Sequence, residues 1–275
     1  MYLSECDSTN TRLKQLLAAG QAPDYIYAGY QTAGRGQTGN GWESERGKNL
    51  ICSILVERQK VPSGTPINVE SLFDLNVAVS VAVHKAVTGY GLRVTGDGLQ
   101  VTGYGLRVTG DGLTIKWPND IYWKDKKLAG ILVENAIIGN EVRYAIAGIG
   151  LNVNQTEFRS DAPNPISLRQ ITGREQDVHE LMRQLLAAMH AVLAEPEQAV
   201  WDYYRAHLYR REGYWPYVER EVSTEPTMNA NSQEPIAKSL FRARIEDVLP
   251  TGELVLRDEE GKQRIYHFKQ VRYVI

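Results

Sequence analysis

The sequence predicts an α+β fold in which helices back a mixed, mostly antiparallel sheet and a small β-barrel follows at the C-terminus. Two long apolar segments flank Gly139-Asn140, a pair that favours a tight turn, and so predict a β-hairpin. Apolar residues recur at helical spacing over 69–87 and 178–193, which predicts two helices. Four short segments with alternating apolar residues lie beyond residue 239 and predict the separate barrel.

Composition and charge place the chain among ordinary folded proteins. Its 275 residues include 31 Lys and Arg against 33 Asp and Glu, and 43% are hydrophobic. Since there is no basic surplus, neither nucleic acid nor an anionic membrane is an expected partner. Cys6 and Cys52 show no metal-ligand spacing, which indicates a reducing compartment, and the N-terminus resembles no leader, so we expect a cytoplasmic protein.

The first third of the chain predicts a helix, two strands and a second helix. The first helix follows the polar segment 7–10, whose side chains suit a helix cap, and ends before Gly20. The strands cover 25–31 and 49–56, and the loop between them holds five glycines. The second helix covers 69–87 and is expected to be buried because its apolar stripe is continuous.

Residues 87–114 consist of a fourteen-residue unit that occurs twice, with Gln100 in the first copy replaced by Thr114 in the second. Each half of the unit carries two glycines, so the segment cannot form an apolar heptad seam. Short β segments joined by glycine turns fit the pattern better, as does an insertion tolerated between two elements. We interpret the repeat as a functionally neutral tandem duplication.

The remaining segments complete the sheet, its helical layer and the barrel. Residues 113–123 predict a strand, a turn and a second strand, and residues 127–149 form the predicted hairpin. Helices over 178–193 and 198–209 are expected to cover one sheet face. The predicted organisation is a large domain at 1–221, a polar linker at 222–238 and an SH3-like domain at 239–275.

The glycine loop is the first feature that suggests a ligand. Gly34, Gly36 and Gly39 match the G-x-G-x-x-G pattern of dinucleotide-binding turns directly after a strand. That pattern must open a helix, whereas a second strand is predicted to follow here. Together with Arg35 and Trp42, the glycines favour a mobile loop that closes over an anionic ligand, and a plain connection is the alternative.

Lys116 lies at the end of a predicted strand, before the turn Pro118-Asn119-Asp120. A lysine held by a strand offers a fixed positive charge to a carboxylate or phosphate, while an edge lysine with a solvated tip is the simpler alternative. The five histidines show no metal-ligand spacing, and no nucleophile elbow occurs. The sequence therefore supports neither a zinc enzyme nor a serine hydrolase.

Five motifs in a fixed order carry a resemblance to a known family. They are DSTNT at 7–11, QTAGRGQTGNGW at 31–42, IKWPNDI at 115–121, KLAGILVE at 127–134 and GIGLNVN at 148–154. With these motifs, residues 4–215 resemble the catalytic domain of biotin protein ligases. The resemblance implies a fold similar to class II aminoacyl-tRNA synthetases, followed by an SH3-like domain. It also implies an enzyme that makes biotinyl-5'-AMP from biotin and MgATP and transfers biotin to a lysine of a biotin carboxyl carrier protein.

The resemblance also implies roles for individual residues. Lys116 and Arg35 are the expected catalytic residues, because positive charge near two reacting anions lowers the barrier. Residues expected to bind biotin are Ser8, Thr9, Asn10, Gln31, Arg35, Gly36, Gln37 and Lys116. Residues expected to bind ATP or the adenylate are Arg35, Trp42, Asn119 and Asn152, with Asp120 near Mg²⁺ and Lys127 near the phosphates.

Three departures from the family pattern bear on these expectations. Gln37, Thr38 and Asn40 stand where many members have arginine, so the loop carries less charge. No helix-turn-helix precedes the catalytic region, and regulation through DNA is therefore not expected. The repeat at 87–114 lies directly before the Lys116 strand and could disturb it.

An exposed strand edge would permit a homodimer.

Three alternatives stay open from the sequence. A lipoate ligase of the same fold would differ in its glycine loop and in the surroundings of its lysine. An NAD-dependent oxidoreductase would need a helix after Gly39. A biotin-binding protein without catalytic activity would result if the repeat disrupts the site.

Overall fold

The computed structural model describes residues 1–37, 41–57, 72–89, 112–139, 141–160, 164–220 and 240–275. Residues 90–111 of the repeat, residues 38–40 of the glycine loop and the predicted linker lie outside these ranges. The expectations that concern them stay predictions.

The described elements are five helices and twelve strands. They are β1 (Tyr2–Leu3), α1 (Thr9–Ala18), β2 (Tyr25–Ala28), β3 (Leu50–Glu57), α2 (Leu72–Gly89), β4 (Leu113–Lys116), β5 (Asp120–Trp123), β6 (Lys126–Ile138), β7 (Glu141–Leu151), α3 (Leu168–Thr172), α4 (Val178–Ala194), α5 (Glu197–Ala206), β8 (Trp215–Glu219), β9 (Leu240–Val248), β10 (Leu254–Asp258), β11 (Gln263–Tyr266) and β12 (Val271–Tyr273). None of the described helices has the length and apolar character that crossing a membrane requires.

Seven strands form one mixed sheet in the order β1-β2-β3-β7-β6-β5-β4. Strands β1 and β2 run parallel, and the other neighbouring pairs among these described strands are antiparallel. The hairpin β6–β7 lies inside the sheet and pairs Gly130 with Gly150. The predicted mixed, mostly antiparallel sheet is confirmed, and so is the hairpin.

Helices cover both faces of this sheet. Cys52, Ile54 and Val56 of β3 belong to the main core, whereas Leu55 belongs to a second, smaller core, because side chains alternate along a strand. On the main-core side α2 packs against the sheet, and α4 and α5 pack against α2. Leu13 of α1 joins Leu55, so α1 lies on the opposite face.

The ends of several elements differ from the prediction because tertiary contacts set them. The strand predicted over 25–31 ends at Ala28. The helix predicted over 198–209 ends at Ala206, since the next residues pair with β4 and Tyr209 N donates to Ile115 O at 2.8 Å. Helix α3 was not predicted, although Ser167 and Gln170 form a capping box at its start.

The C-terminal region forms a second, five-stranded antiparallel sheet in the order β11-β10-β9-β8-β12. The four strands expected beyond residue 239 are present. A fifth strand, β8, precedes the predicted linker and pairs with both β9 and β12. Strand β8 was not predicted because the segment WPYVE is short and contains a proline. Tyr217 of β8 and Leu128 of the first sheet belong to one buried cluster, so the two sheets share a core.

Candidate functional site

A cavity of about 270 Å³ lies beside the start of α1. All five sequence motifs contribute to its wall, and the second sheet contributes as well. Lining residues that the sequence analysis singled out are Ser8, Thr9, Asn10, Gln31, Arg35, Gly36, Gln37, Trp42, Lys116, Asn119, Asp120 and Lys127. Residues distant in sequence therefore meet around one small-molecule-sized space.

One side of the cavity carries a buried polar network. Gln31 Oε1 accepts hydrogen bonds from Thr9 N at 2.7 Å and from Thr9 Oγ1 at 3.0 Å. Ser53 Oγ lies 2.7 Å from Thr9 Oγ1 and also contacts the Asn10 side chain. A Cβ atom at Gly148 would clash with the Asn10 amide, so glycine is needed there. The network fixes the orientation of hydroxyl and amide groups that can recognise a polar ring.

Glu134 holds this network in place from the neighbouring strand. Its Oε2 atom accepts a hydrogen bond from Asn10 Nδ2 at 2.7 Å, and its Oε1 atom accepts one from Lys14 Nζ at 2.7 Å. Arg35 reaches the same carboxylate at 3.3 Å. Although burial acts in the opposite direction, hydrogen bonds from Lys14 and Asn10 hold the pKa of Glu134 below its usual value. Glu134 therefore stays ionised, and its carboxylate orients the Asn10 amide and the Arg35 guanidinium.

The indole of Trp42 rests on a pair of glycines in the sheet. Gly130 and Gly150 face each other on β6 and β7, and a Cβ atom at either position would clash with the Trp42 ring. The backbone N of Trp42 donates to Gly34 O at 3.0 Å, which closes the glycine loop. Lys127 Nζ lies 5.8 Å from the ring centre. The absence of side chains at Gly130 and Gly150 thus leaves the space in which the Trp42 ring packs.

Lys116 stands at the end of β4 with its ammonium group largely shielded from water. Its Nζ atom donates to Tyr122 OH at 3.1 Å. Burial lowers the pKa of Lys116 to about 8; the Asp120 carboxylate opposes this shift, and the cations Lys127 and Arg210 add to it. The group therefore offers a positive charge near neutral pH in a place where water screens it weakly.

The turn after Lys116 is anchored on three sides. Tyr204 OH donates to Pro118 O at 2.8 Å, and Trp117 Nε1 donates to Gly252 O in the second sheet at 2.9 Å. The Asn119 side chain is 1% exposed; it donates to Asn76 and accepts a hydrogen bond from Gln37. Since both ends of the Asn119 amide are engaged by the protein, Asn119 supports the cavity wall.

Asp120 is the predicted metal residue. Its carboxylate forms an ion pair with Lys127 at 2.8 Å. Among the described residues, no group of three or more His, Cys, Asp or Glu side chains could hold a metal ion. Mg²⁺ often binds through one carboxylate, water and the phosphates of a substrate. Asp120 could thus supply one oxygen to a divalent cation whose other ligands come from water and a phosphate-bearing ligand.

Asn152 does not line the cavity in the described structure. It is buried at the end of β7, where its backbone N donates to Leu128 O at 3.0 Å and its carbonyl accepts from Leu168 N at 3.1 Å. Its predicted contact with adenine stays a prediction.

The second sheet supplies cavity residues that the sequence did not indicate. They are Arg220, Phe268, Lys269, Val271, Arg272 and Tyr273. The sequence predicts a separate barrel for this region, and the one sign of a binding role is the mixture of basic and aromatic residues in its last segments. Three of these residues are cations, whereas Asp120 is the one acidic side chain among the described lining residues. This balance of charge suits an anionic ligand.

The part of the chain that carries most of these residues matches a known protein family. A sequence model of the biotin/lipoate A/B protein ligase family matches residues 2–152, which is more than half of the chain. The bifunctional ligase/repressor BirA of Escherichia coli is 28% identical over 214 residues, covering 78% of this chain and 55% of that protein. The chain thus spans about half the length of that relative.

Two further proteins match nearly the whole chain. The biotin--[acetyl-CoA-carboxylase] ligase of Paracoccus denitrificans is 29% identical over 271 residues, which cover 96% of each protein. The biotin protein ligase from Aquifex aeolicus, solved in complex with biotin and ATP, superposes with a TM-score of 0.69 at 20% identity, covering 100% of this chain and 98% of that one. This structural likeness shows a shared fold. The family model spans four of the five motifs completely and reaches into the fifth, and on that match the chain belongs to the biotin/lipoate A/B protein ligase family.

Proposed function

We propose that the chain is an ATP-dependent biotin protein ligase that activates biotin as biotinyl-5'-AMP and transfers it to one lysine of a biotin carboxyl carrier protein. The observation that carries this proposal is the cavity, which joins a buried polar network to a group of cations. The family includes both biotin and lipoate ligases. The Paracoccus relative is a biotin ligase, and the Aquifex structure contains biotin and ATP, which favours biotin here.

The polar network is the proposed site of the biotin ureido ring. Ser8, Thr9, Asn10 and Gln31 are all buried, and their hydroxyl and amide groups can donate and accept hydrogen bonds. A ligand that lacked the ureido group would form fewer hydrogen bonds with this network. The network therefore favours biotin over lipoate.

The first step joins two anions. A carboxylate oxygen of biotin attacks the α-phosphorus of ATP, the bond from that phosphorus to the bridging oxygen breaks, and pyrophosphate leaves. Lys116 and Arg35 offset the repulsion between the carboxylate and the phosphate. Mg²⁺ that enters with ATP, with Asp120 as a candidate ligand, would neutralise part of the triphosphate charge. Both cations line the same cavity as the polar network, which supports this role.

The second step needs protection from water. The neutral amine of the carrier lysine attacks the acyl carbonyl of biotinyl-5'-AMP, AMP leaves with the electron pair of the broken anhydride bond, and the new amide nitrogen releases one proton to solvent. Water would compete with that amine, so a closed loop over the adenylate preserves the intermediate. Trp42, seated on Gly130 and Gly150, anchors the end of the loop that would provide this cover.

The proposal includes finer features of the fold and setting. We assign the first sheet to a class II aminoacyl-tRNA synthetase-like arrangement and the second to an SH3-like barrel. A cytoplasmic location and a homodimer belong to the same proposal, as do MgATP as the nucleotide substrate and the carrier protein as the acceptor.

The test is pyrophosphate release in the presence of MgATP, with biotin, with lipoate and with no acid. Biotin alone should support release, and Lys116→Ala should lower the rate by about a hundredfold or more while biotin still binds in calorimetry. Addition of a purified carrier domain should then give a biotinylated lysine, which mass spectrometry identifies.

Other outcomes would replace the proposal. Release with lipoate in place of biotin would make the chain a lipoate ligase. A folded protein that binds biotin and releases no pyrophosphate would be a catalytically silent homologue.

A further inference from the structure

The ammonium group of Lys116 lies between aromatic rings from both sheets. Its Nζ atom is 4.7 Å from the ring centre of Tyr122 on β5 and 5.1 Å from that of Tyr273 on β12. Both distances fall within the range of about 6 Å over which a cation is attracted to an aromatic face. One ring belongs to the strand that pairs with β4, whereas the other belongs to the second sheet.

We propose that Tyr273 is a positioning residue for adenylation, because its ring and that of Tyr122 together hold the Lys116 ammonium in the cavity. The inference rests on the proposed function and deepens it. Through Tyr273, the second sheet would help to orient the Lys116 ammonium toward the reacting carboxylate and phosphate.

The ring of Tyr273, rather than its hydroxyl group, makes the contact. The Tyr273 hydroxyl is buried and has no hydrogen-bond partner among the described residues. Tyr122 differs, because its hydroxyl accepts the hydrogen bond from Lys116. Phenylalanine at position 273 should therefore preserve the interaction, whereas an aliphatic residue should remove it.

The two strands that bear the lysine and the ring are connected by further contacts. Tyr273 pairs with Tyr217 across β12 and β8, and their ring centres are 5.0 Å apart. The Tyr209 ring lies 5.7 Å from the Tyr273 ring, and Tyr209 N donates to Ile115 O next to Lys116. The position of Tyr273 is thus coupled to the backbone of β4.

The charges around Lys116 explain why aromatic faces are useful there. Lys127 and Arg210 disfavour its ammonium form and Asp120 favours it, while Arg220, Lys269 and Arg272 line the same cavity. An aromatic face differs from both the neighbouring cations and the Asp120 carboxylate, because it attracts a cation without carrying a charge. The two rings therefore hold the Lys116 ammonium without supplying a negative charge of their own.

The test compares Tyr273→Leu with Tyr273→Phe in biotin-dependent exchange of pyrophosphate into ATP. We expect leucine to lower kcat about fivefold to tenfold with the biotin KM changed by less than about twofold, and phenylalanine to retain the parental rate. Val255→Ala is the matched control, since it reduces packing in the same sheet at a buried residue outside the cavity.

An equal loss in the leucine and phenylalanine variants would overturn the proposal, as would a parental rate with leucine. The same loss in Val255→Ala would attribute the effect to packing alone. Where the leucine variant fails to fold, Tyr273→Met removes the ring with less loss of volume and replaces it in the comparison.

A second measurement does not depend on ligase activity. Lys116 is labelled at neutral pH with an amine-reactive reagent, and peptide mass spectrometry gives its rate relative to the exposed Lys262. Labelling should rise several-fold in Tyr273→Leu and stay unchanged in Tyr273→Phe and Val255→Ala. Unchanged labelling in the leucine variant would overturn the role of Tyr273, whereas a parent protein without biotin-dependent exchange would count against the proposed function.

Discussion

At the scale of the single residue, burial decides the chemistry of the site. Lys116 is a lysine whose pKa falls to about 8 chiefly because the protein shields it from water. Glu134 shows the opposite balance, since hydrogen bonds from Lys14 and Asn10 outweigh the effect of burial on its pKa. The sequence indicated Lys116 through its place beside a rigid turn. It did not indicate Glu134 or Ser53, because their partners lie on other elements.

The lowered pKa of Lys116 predicts a pH dependence of adenylation. The ammonium form supplies the positive charge, so the rate should fall as pH rises through about 8 and the group loses its proton. Lys116→Arg, whose guanidinium remains protonated, should show lower activity without that fall. The measurement is kcat/KM for pyrophosphate exchange as a function of pH. A parental rate that stays level well above pH 8 would contradict the assignment.

At the scale of the element, short sequence patterns were sufficient to predict some helices and strands and insufficient for others. The hairpin around Gly139 and the strand-turn-strand of KWPND follow from turn residues and alternation, and both were predicted correctly. The early end of α5 and the strand β8 depend on backbone pairing with distant strands. No periodicity within the segment could show those pairings.

The glycines of the site illustrate the same limit. Gly130 and Gly150 lie in two separate sequence motifs, but the structure shows them side by side beneath Trp42. Their role is to leave room for an indole, which no single motif reveals. Two glycines on neighbouring strands therefore serve the same structural role, although they belong to different sequence motifs.

Gly150→Ala should displace Trp42 and loosen the cover over the adenylate. We expect more pyrophosphate released for each biotin transferred, because water reaches the intermediate, and a stability loss of about 1–3 kcal/mol from overpacking. Gly41→Ala is the control in the same loop, since its Cβ would meet no atom closer than 3.8 Å. The measurement is the ratio of pyrophosphate to biotinylated carrier. An unchanged ratio in Gly150→Ala would argue against a shielding role for Trp42.

At the scale of the whole molecule, the second sheet completes the cavity. Trp117 Nε1 donates to Gly252 O, and Arg205 of α5 forms an ion pair with Asp247 of β9 at 2.7 Å. The sequence predicted four of the five strands of this sheet but not the contribution of the sheet to the site. Only the folded chain brings Arg220, Lys269 and Arg272 to the cavity that holds Lys116.

Arg272→Gln should weaken the binding of ATP more than that of biotin. The arginine adds positive charge to the cavity, and the triphosphate carries more negative charge than the biotin carboxylate. We expect the ATP KM to rise about fivefold or more, with the biotin KM changed by less than about twofold. Arg244→Gln removes an equal charge from an exposed position outside the cavity and should change neither value. Equal effects of the two substitutions would indicate a general effect of net charge.

The core that the two sheets share has a consequence for the lifetime of the protein. Because one buried cluster runs through both sheets, unfolding of either would expose apolar surface of the other. Substrate bound in the cavity therefore stabilises the entire folded chain by mass action. Degradation that begins from opened states slows as those states become rarer. Under the proposed function, the supply of biotin and ATP would then lengthen the time that each copy survives.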